Sequence, residues 1–95
     1  MNVPVREMRR EPRRKAEGAV RVRFADPKPV QIDGRLVDVS AGGFRMSHSC
    51  TALSAGQLVE FKHAEAAGQA QVMWNRVASK HVETGFRVVT AGATQ

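Results

Sequence analysis

From residue 19 onward the apolar residues of this chain recur at every second position and rarely at helical spacing. Val20, Val22 and Phe24 alternate with Arg21 and Arg23, the pattern of a strand with one buried face. Asp26-Pro27-Lys28-Pro29 interrupts it, because proline brings no N–H to a ladder. A second run from Val30 to Val39 carries Ile32, Leu36, Val37 and Val39. Its phase slips at Leu36-Val37, which predicts a bulge beside Gly34. Ser40 to Gly43 reads as a turn, Phe44 to His48 as a third strand, and Gln57 to Lys62 as a fourth after Ser54-Ala55-Gly56. Ala64 to Gly68 reads as a short connection, too brief for an independent helix. Gln69 to Asn75 and Val82 to Val89 complete a set of six. Short strands at close spacing with no long helix predict an all-β antiparallel barrel or sandwich. Closure would remove the exposed edges that a small sheet otherwise carries.

The 95 residues allow one domain with one modest core. Residues 19–89 are expected to form it. Residues 1–18 are read as a flexible basic arm and residues 90–95 as a disordered tail. The lone Cys50 cannot make an internal disulfide, and no apolar run approaches a membrane span. The start turns charged at Arg6 before a signal region could form, so a cytoplasmic location without membrane insertion is expected. The net charge of +6 is unevenly spread: residues 1–24 hold eight Lys/Arg against three Glu, and the remainder seven against six. A cationic head on a nearly neutral body attracts anions, with nucleotides, nucleic acids and acidic lipids as the classes to weigh.

Two short elements carry candidate chemistry. The first is the arginine cluster Arg9-Arg10-Glu11-Pro12-Arg13. A guanidinium can donate two parallel hydrogen bonds to phosphate or to O6 and N7 of guanine, and it stacks on aromatic rings. The second is Asp38-Val39-Ser40-Ala41-Gly42-Gly43, between two expected strands. Asp, Ser and Gly make good turns unaided, but the same groups have a second use. A carboxylate can accept from the N1–H and N2–H2 edge of guanine, a hydroxyl can satisfy another polar atom, and a glycine allows close approach.

In order and spacing these elements resemble the RxxxR and (D/N)xSxxG motifs of the PilZ family, bacterial receptors for cyclic di-GMP. Arg9 and Arg13 fit the first motif, with Arg10 giving a double arginine; Arg10 and Arg14 fit the same spacing, and the Arg9/Arg13 register is preferred for its distance to the first strand. The resemblance implies a six-stranded antiparallel β-barrel of Greek-key type. It also implies ligand contacts from Arg9, Arg10, Arg13, Asp38, Ser40 and Gly43, and an arm that closes over the nucleotide. A separate downstream effector protein, in motility, biofilm or virulence control, is implied as well. Val72-x-Trp74 and Gly85-Phe86 sit where the family carries apolar positions, and both are read as core.

No catalysis is expected. His48, His63 and His81 lack ligand-type spacing for a metal, Cys50 reads as a small hydrophobe, and Ser40 lacks a nucleophile elbow. No cofactor is called for beyond cyclic di-GMP as ligand. The alternatives are a basic barrel that binds RNA or single-stranded DNA and a PilZ-type module that acts by protein contact alone. Nucleic acid is the less favoured partner, because the five aromatic residues form no evident stacking platform on the strands.

Overall fold

The computed structural model describes residues 12–25 and 27–93. They form seven strands and no helix: β1 Arg14–Lys15, β2 Ala19–Ala25, β3 Pro29–Ser40, β4 Gly43–His48, β5 Leu58–Lys62, β6 Ala66–Val77 and β7 Val82–Ala93. All pairings are antiparallel. The hydrogen-bonded order β3-β2-β5-β6-β7-β4 closes on itself through β3–β4, so six strands make a barrel of the expected class, with β1 outside the ring. Residues 49–57 carry the chain from β4 to β5, which is paired between β2 and β6.

The alternation read from sequence is what fills the barrel. Val20, Val22, Ile32, Leu36, Phe44, Met46, Val59, Phe61, Val72 and Phe86 are buried, while Arg21 and Arg23 are exposed. Phe44 lies at the centre of an aromatic cluster. Its ring stacks on Phe86 with centroids 4.6 Å apart, tilts against Phe61 at 4.9 Å and meets His63 edge-on at 5.0 Å. Such pairs add to the burial of the rings themselves.

Three segments differ from expectation. Arg14 and Lys15, in the expected arm, pair with Val39 and Asp38 of β3. Ala16 N–H to Val37 C=O (3.2 Å) and Leu36 N–H to Gly18 C=O (2.8 Å) hold the next residues along the same edge. No apolar alternation marks this stretch, because it satisfies backbone groups more than it fills the core. Ala66–Gly68, expected in a connection, belong to β6. They pair with Ala91–Ala93 of β7, which runs past the expected end at Val89 into the expected tail. Two stretches of small residues can pair closely without any hydrophobic period to announce it. Arg9 and Arg10 lie outside the described residues.

A partly buried polar chain, with His48 and Thr84 at its buried centre, ties the residues after β4 to the barrel. Cys50 N–H donates to His48 Nδ1 (3.1 Å), and His48 Nε2 lies 2.7 Å from Thr84 Oγ1. Thr84 donates on to Asn75 Oδ1 (2.6 Å), and Asn75 Nδ2 donates to the Leu53 carbonyl (2.9 Å). The directions leave His48 neutral with its proton on Nε2. Burial pulls the His48 pKa below its ordinary value, and burial does the same at His63 against an opposing pull from Glu65. The unfolded chain therefore binds protons first. Stability should be full above about pH 6.5 and should fall as pH drops toward the depressed folded values. Urea midpoints at pH 7.5 and 5.5 check this. The midpoint is expected to be lower at pH 5.5, and the difference should shrink in His48→Gln.

Candidate functional site: a cross-strand row at two bulges

The hairpin Ser40–Gly43 joins β3 to β4, with Ser40 paired to Gly43 across Ala41-Gly42. The register before it is not uniform. Leu36 pairs with Met46, but Arg45 pairs with Asp38, so Val37 is the extra residue of a bulge. Leu36 and Met46 are core residues. Without the bulge, Asp38 would share the inward face with Leu36, two positions earlier. The extra residue reverses the parity and turns Asp38 to the outer face beside Arg45. The slip expected at Leu36-Val37 is thus the device that aims the carboxylate.

A second bulge does the same on β6. Val72 pairs with Phe86 and Trp74 with Gly85, leaving Met73 extra. The sequence places Trp74 in the core together with Val72, two positions earlier. Instead its side of the strand changes at Met73, and the residue is 38% exposed. Arg45 also pairs with Gly85. Asp38, Arg45, Gly85 and Trp74 therefore form one row across β3, β4, β7 and β6. Bulges concentrate near functional sites because they re-aim side chains.

Gly85 is the bare step in that row. A Cβ built there would lie 2.4 Å from Cε2 and Nε1 of the Trp74 ring, so the indole lies directly over the glycine. Gly85→Ala should push the ring off its seat. Trp74 is the only tryptophan in the chain, so intrinsic fluorescence reads the change directly. A red-shifted emission maximum is the expected result. The glycine of the turn has a different explanation. The motif makes Gly43 a point of close ligand approach, yet a Cβ there would sit 2.1 Å from the Phe86 carbonyl oxygen. Close β4–β7 packing is sufficient reason for glycine at this position.

The predicted residues that the structure describes come together. Arg13 Nε donates to Asp38 Oδ1 at 3.1 Å, and Arg13 Nη1 makes a longer contact of 3.4 Å to Ser40 Oγ. Ser40 Oγ lies 3.5 Å from the Gly43 carbonyl. Arg14 turns the other way, to an exposed ion pair with Glu65. Arg45, which sequence reasoning did not single out, makes the most extensive contact. Its Nε lies 3.0 and 2.9 Å from the two Asp38 oxygens, and its Nη2 also donates to Oδ2. The Asp38 side chain is 8% exposed, against 39% for Arg13 and 34% for Arg45. Hydrogen bonding from Arg45 is the largest influence on the Asp38 pKa. With the help of Arg13 it overcomes the opposing effect of burial, so the carboxyl lies below its ordinary value.

Arg13 stands between two concavities. One, about 510 Å³, is walled by Arg13, Arg14, Ser40, Gly43, His63 and Glu65. The other, about 450 Å³, is walled by Arg13, Arg45, Met73, Trp74, Gly85 and Phe86. Both fall in the size range of small-ligand sites. A larger groove of about 640 Å³ lies where β3 begins, among Phe24, Pro29, Gln31 and Leu58. Its charged lining residues are Arg23 and Glu60, one cross-strand pair, whereas two guanidinium groups gather on one buried carboxylate where β3 ends. The chemistry is at the smaller clefts: a hydroxyl, two guanidinium groups and an exposed indole line them, and the ionised Asp38 lies behind the two guanidinium groups. That set suits a planar, hydrogen-bonding, anionic ligand.

No protein-family model matches the chain, and no curated protein matches it.

Proposed function

We propose that this protein is a cyclic di-GMP receptor of the PilZ type, which binds the nucleotide at the β3–β4 hairpin and signals to a separate partner. One observation carries the reading: Arg13 already presents two N–H groups to Asp38 and Ser40. Guanine offers a comparable pair of donors, N1–H and N2–H2, to a carboxylate and a neighbouring acceptor. Arg13 occupies the place of the base edge in the free protein.

Binding then proceeds by exchange. The guanine edge takes over Asp38, and the freed Arg13 guanidinium turns to a phosphate or to O6 and N7 of a base. Arg9 and Arg10, ahead of it in the sequence, supply further cations for the second phosphate. Trp74 offers a flat apolar face on the other side of Arg13, suited to stacking. The contact geometry also favours the Arg9/Arg13 register, because Arg13 faces the hairpin while Arg14 is engaged with Glu65. Releasing Arg13 loosens the segment that β1 holds against β3, and this moves a charged surface that a partner can read. Nothing in this scheme requires bond making or breaking, so the role is binding rather than catalysis.

Calorimetric titration with cyclic di-GMP, cyclic di-AMP and a single-stranded oligonucleotide, at 50 and 300 mM salt, tests the reading. Saturable binding of cyclic di-GMP with discrimination against cyclic di-AMP at both salts supports it. Oligonucleotide binding that collapses with salt, with no cyclic di-GMP heat, would assign the basic surface to nucleic acid instead.

A further inference from the structure

We infer that Arg45 is the positioning residue for guanine recognition: it fixes the Asp38 carboxylate in the plane that accepts the base edge. The inference rests on the cyclic di-GMP reading and adds a residue that neither sequence motif contains.

The two arginines on Asp38 are not equivalent. Arg45 belongs to β4, inside the ring, and cross-strand pairing with both Asp38 and Gly85 fixes its backbone. It reaches both carboxylate oxygens. Arg13 precedes the two-residue β1, outside the ring, and reaches only Oδ1 of that carboxylate. A carboxylate has about four acceptor sites. Arg45 occupies positions on both oxygens and leaves room at Oδ1, beside Ser40 Oγ, for one further pair of donors. Arg13 holds part of that room in the free protein, and a guanine edge would fill it in the complex. Arg45 therefore stays while Arg13 exchanges.

A two-point contact fixes the carboxylate plane as well as its charge, which a lysine could not do. The charged groups around the pair are few. Asp38 faces Arg13 and Arg45, Lys15 of β1 is its register partner on the other side, and Arg45 also feels Glu83 on β7. The register explains why this partner is available. The extra residue Val37 sets Asp38 opposite Arg45, and the same change of parity turns Val39 into the core. Bulge, arginine and carboxylate form one device.

The test compares cyclic di-GMP with its inosine analogue, cyclic di-IMP, whose bases lack the N2 amine. Wild type, Arg45→Gln and Arg45→Lys are titrated with both. Wild type should prefer cyclic di-GMP by about tenfold or more, because an acceptor built for two donors is left half unsatisfied by one. Arg45→Gln should lose about tenfold on cyclic di-GMP and bring the two ligands within about threefold of each other. Arg45→Lys, which keeps the charge but not the fork, should fall between them. Equal weakening for both ligands with discrimination retained would overturn the inference, as would unchanged affinity. A ligand-free readout accompanies it: the carbon-13 shift of the Asp38 carboxyl followed against pH. Its midpoint should rise in Arg45→Gln while the amide spectrum remains that of a folded barrel, and an unmoved midpoint overturns the assignment. Wild type that fails to bind cyclic di-GMP while the Asp38 midpoint shifts as expected would count against the ligand and not against the Arg45–Asp38 coupling.

Discussion

Asp38→Asn is expected to weaken cyclic di-GMP binding about 100-fold while the barrel remains folded. The substitution keeps the size of the side chain but exchanges one acceptor oxygen for a donor amide. That amide points its N–H groups at the N–H edge of guanine, so the loss combines a missing bond with a repulsive contact. Arg13 and Arg45 both lose their ion-pair partner, yet each is more than a third exposed and remains solvated. The cost to stability is accordingly small, about 1 kcal/mol. Calorimetry for affinity and urea unfolding for stability separate the two effects. Retained affinity would remove Asp38 from the site. A collapse of stability would mean that the carboxylate serves mainly to hold the fold. The same linkage gives an acid limit. The depressed Asp38 pKa means its contribution to stability is present above about pH 4 and is lost as pH falls through the folded value.

Phe44→Ala is expected to destabilise the protein by about 3–5 kcal/mol, the largest effect of any single truncation in this core. Phe44 is fully buried and contacts Phe61, His63 and Phe86 at once. A domain of this size has about 5–15 kcal/mol in total, so the variant should sit close to its unfolding threshold. Phe44 also follows Gly43 directly, beneath the hairpin that carries Ser40. A cavity there loosens the site from below, and added ligand should restore part of the lost stability by mass action. Thermal unfolding of Phe44→Ala with and without cyclic di-GMP checks both points. A loss below about 1 kcal/mol would show that the aromatic cluster is not the keystone its geometry implies.

How legible these features were in sequence follows from what each one does. Strands that fill the core, such as Val20-Arg21-Val22-Arg23, announce themselves by alternation, because every second side chain must be apolar. The bulge at Val37 was visible as a break in that alternation, and Asp38, Ser40 and Arg13 were visible as motif residues; the structure brings these three into contact. Strand segments that pair without filling the core left no such mark. Arg14–Lys15, Ala66–Gly68 and Thr90–Ala93 are held largely by backbone hydrogen bonds, which any non-proline sequence can supply.

Trp74 differs from its expected place in the core because the sequence does not show the bulge in β6: apolar residues flank Met73 on both sides, so nothing marks the change of face. Arg45 was hidden for a different reason. An arginine alternating with Phe44 and Met46 is what any half-exposed strand presents to water. Only the register of β3 against β4 reveals that this one faces a buried carboxylate.

The central claim is that the hairpin end of β3 is where the nucleotide binds. A two-dimensional amide NMR titration with cyclic di-GMP tests it most directly. The account predicts that the largest shifts fall on residues 38–45 and on the Trp74 indole N–H, with Asp38→Asn abolishing them. Shifts confined to the groove around Phe24, Pro29 and Leu58, or a spectrum that does not move at saturating ligand, would contradict it.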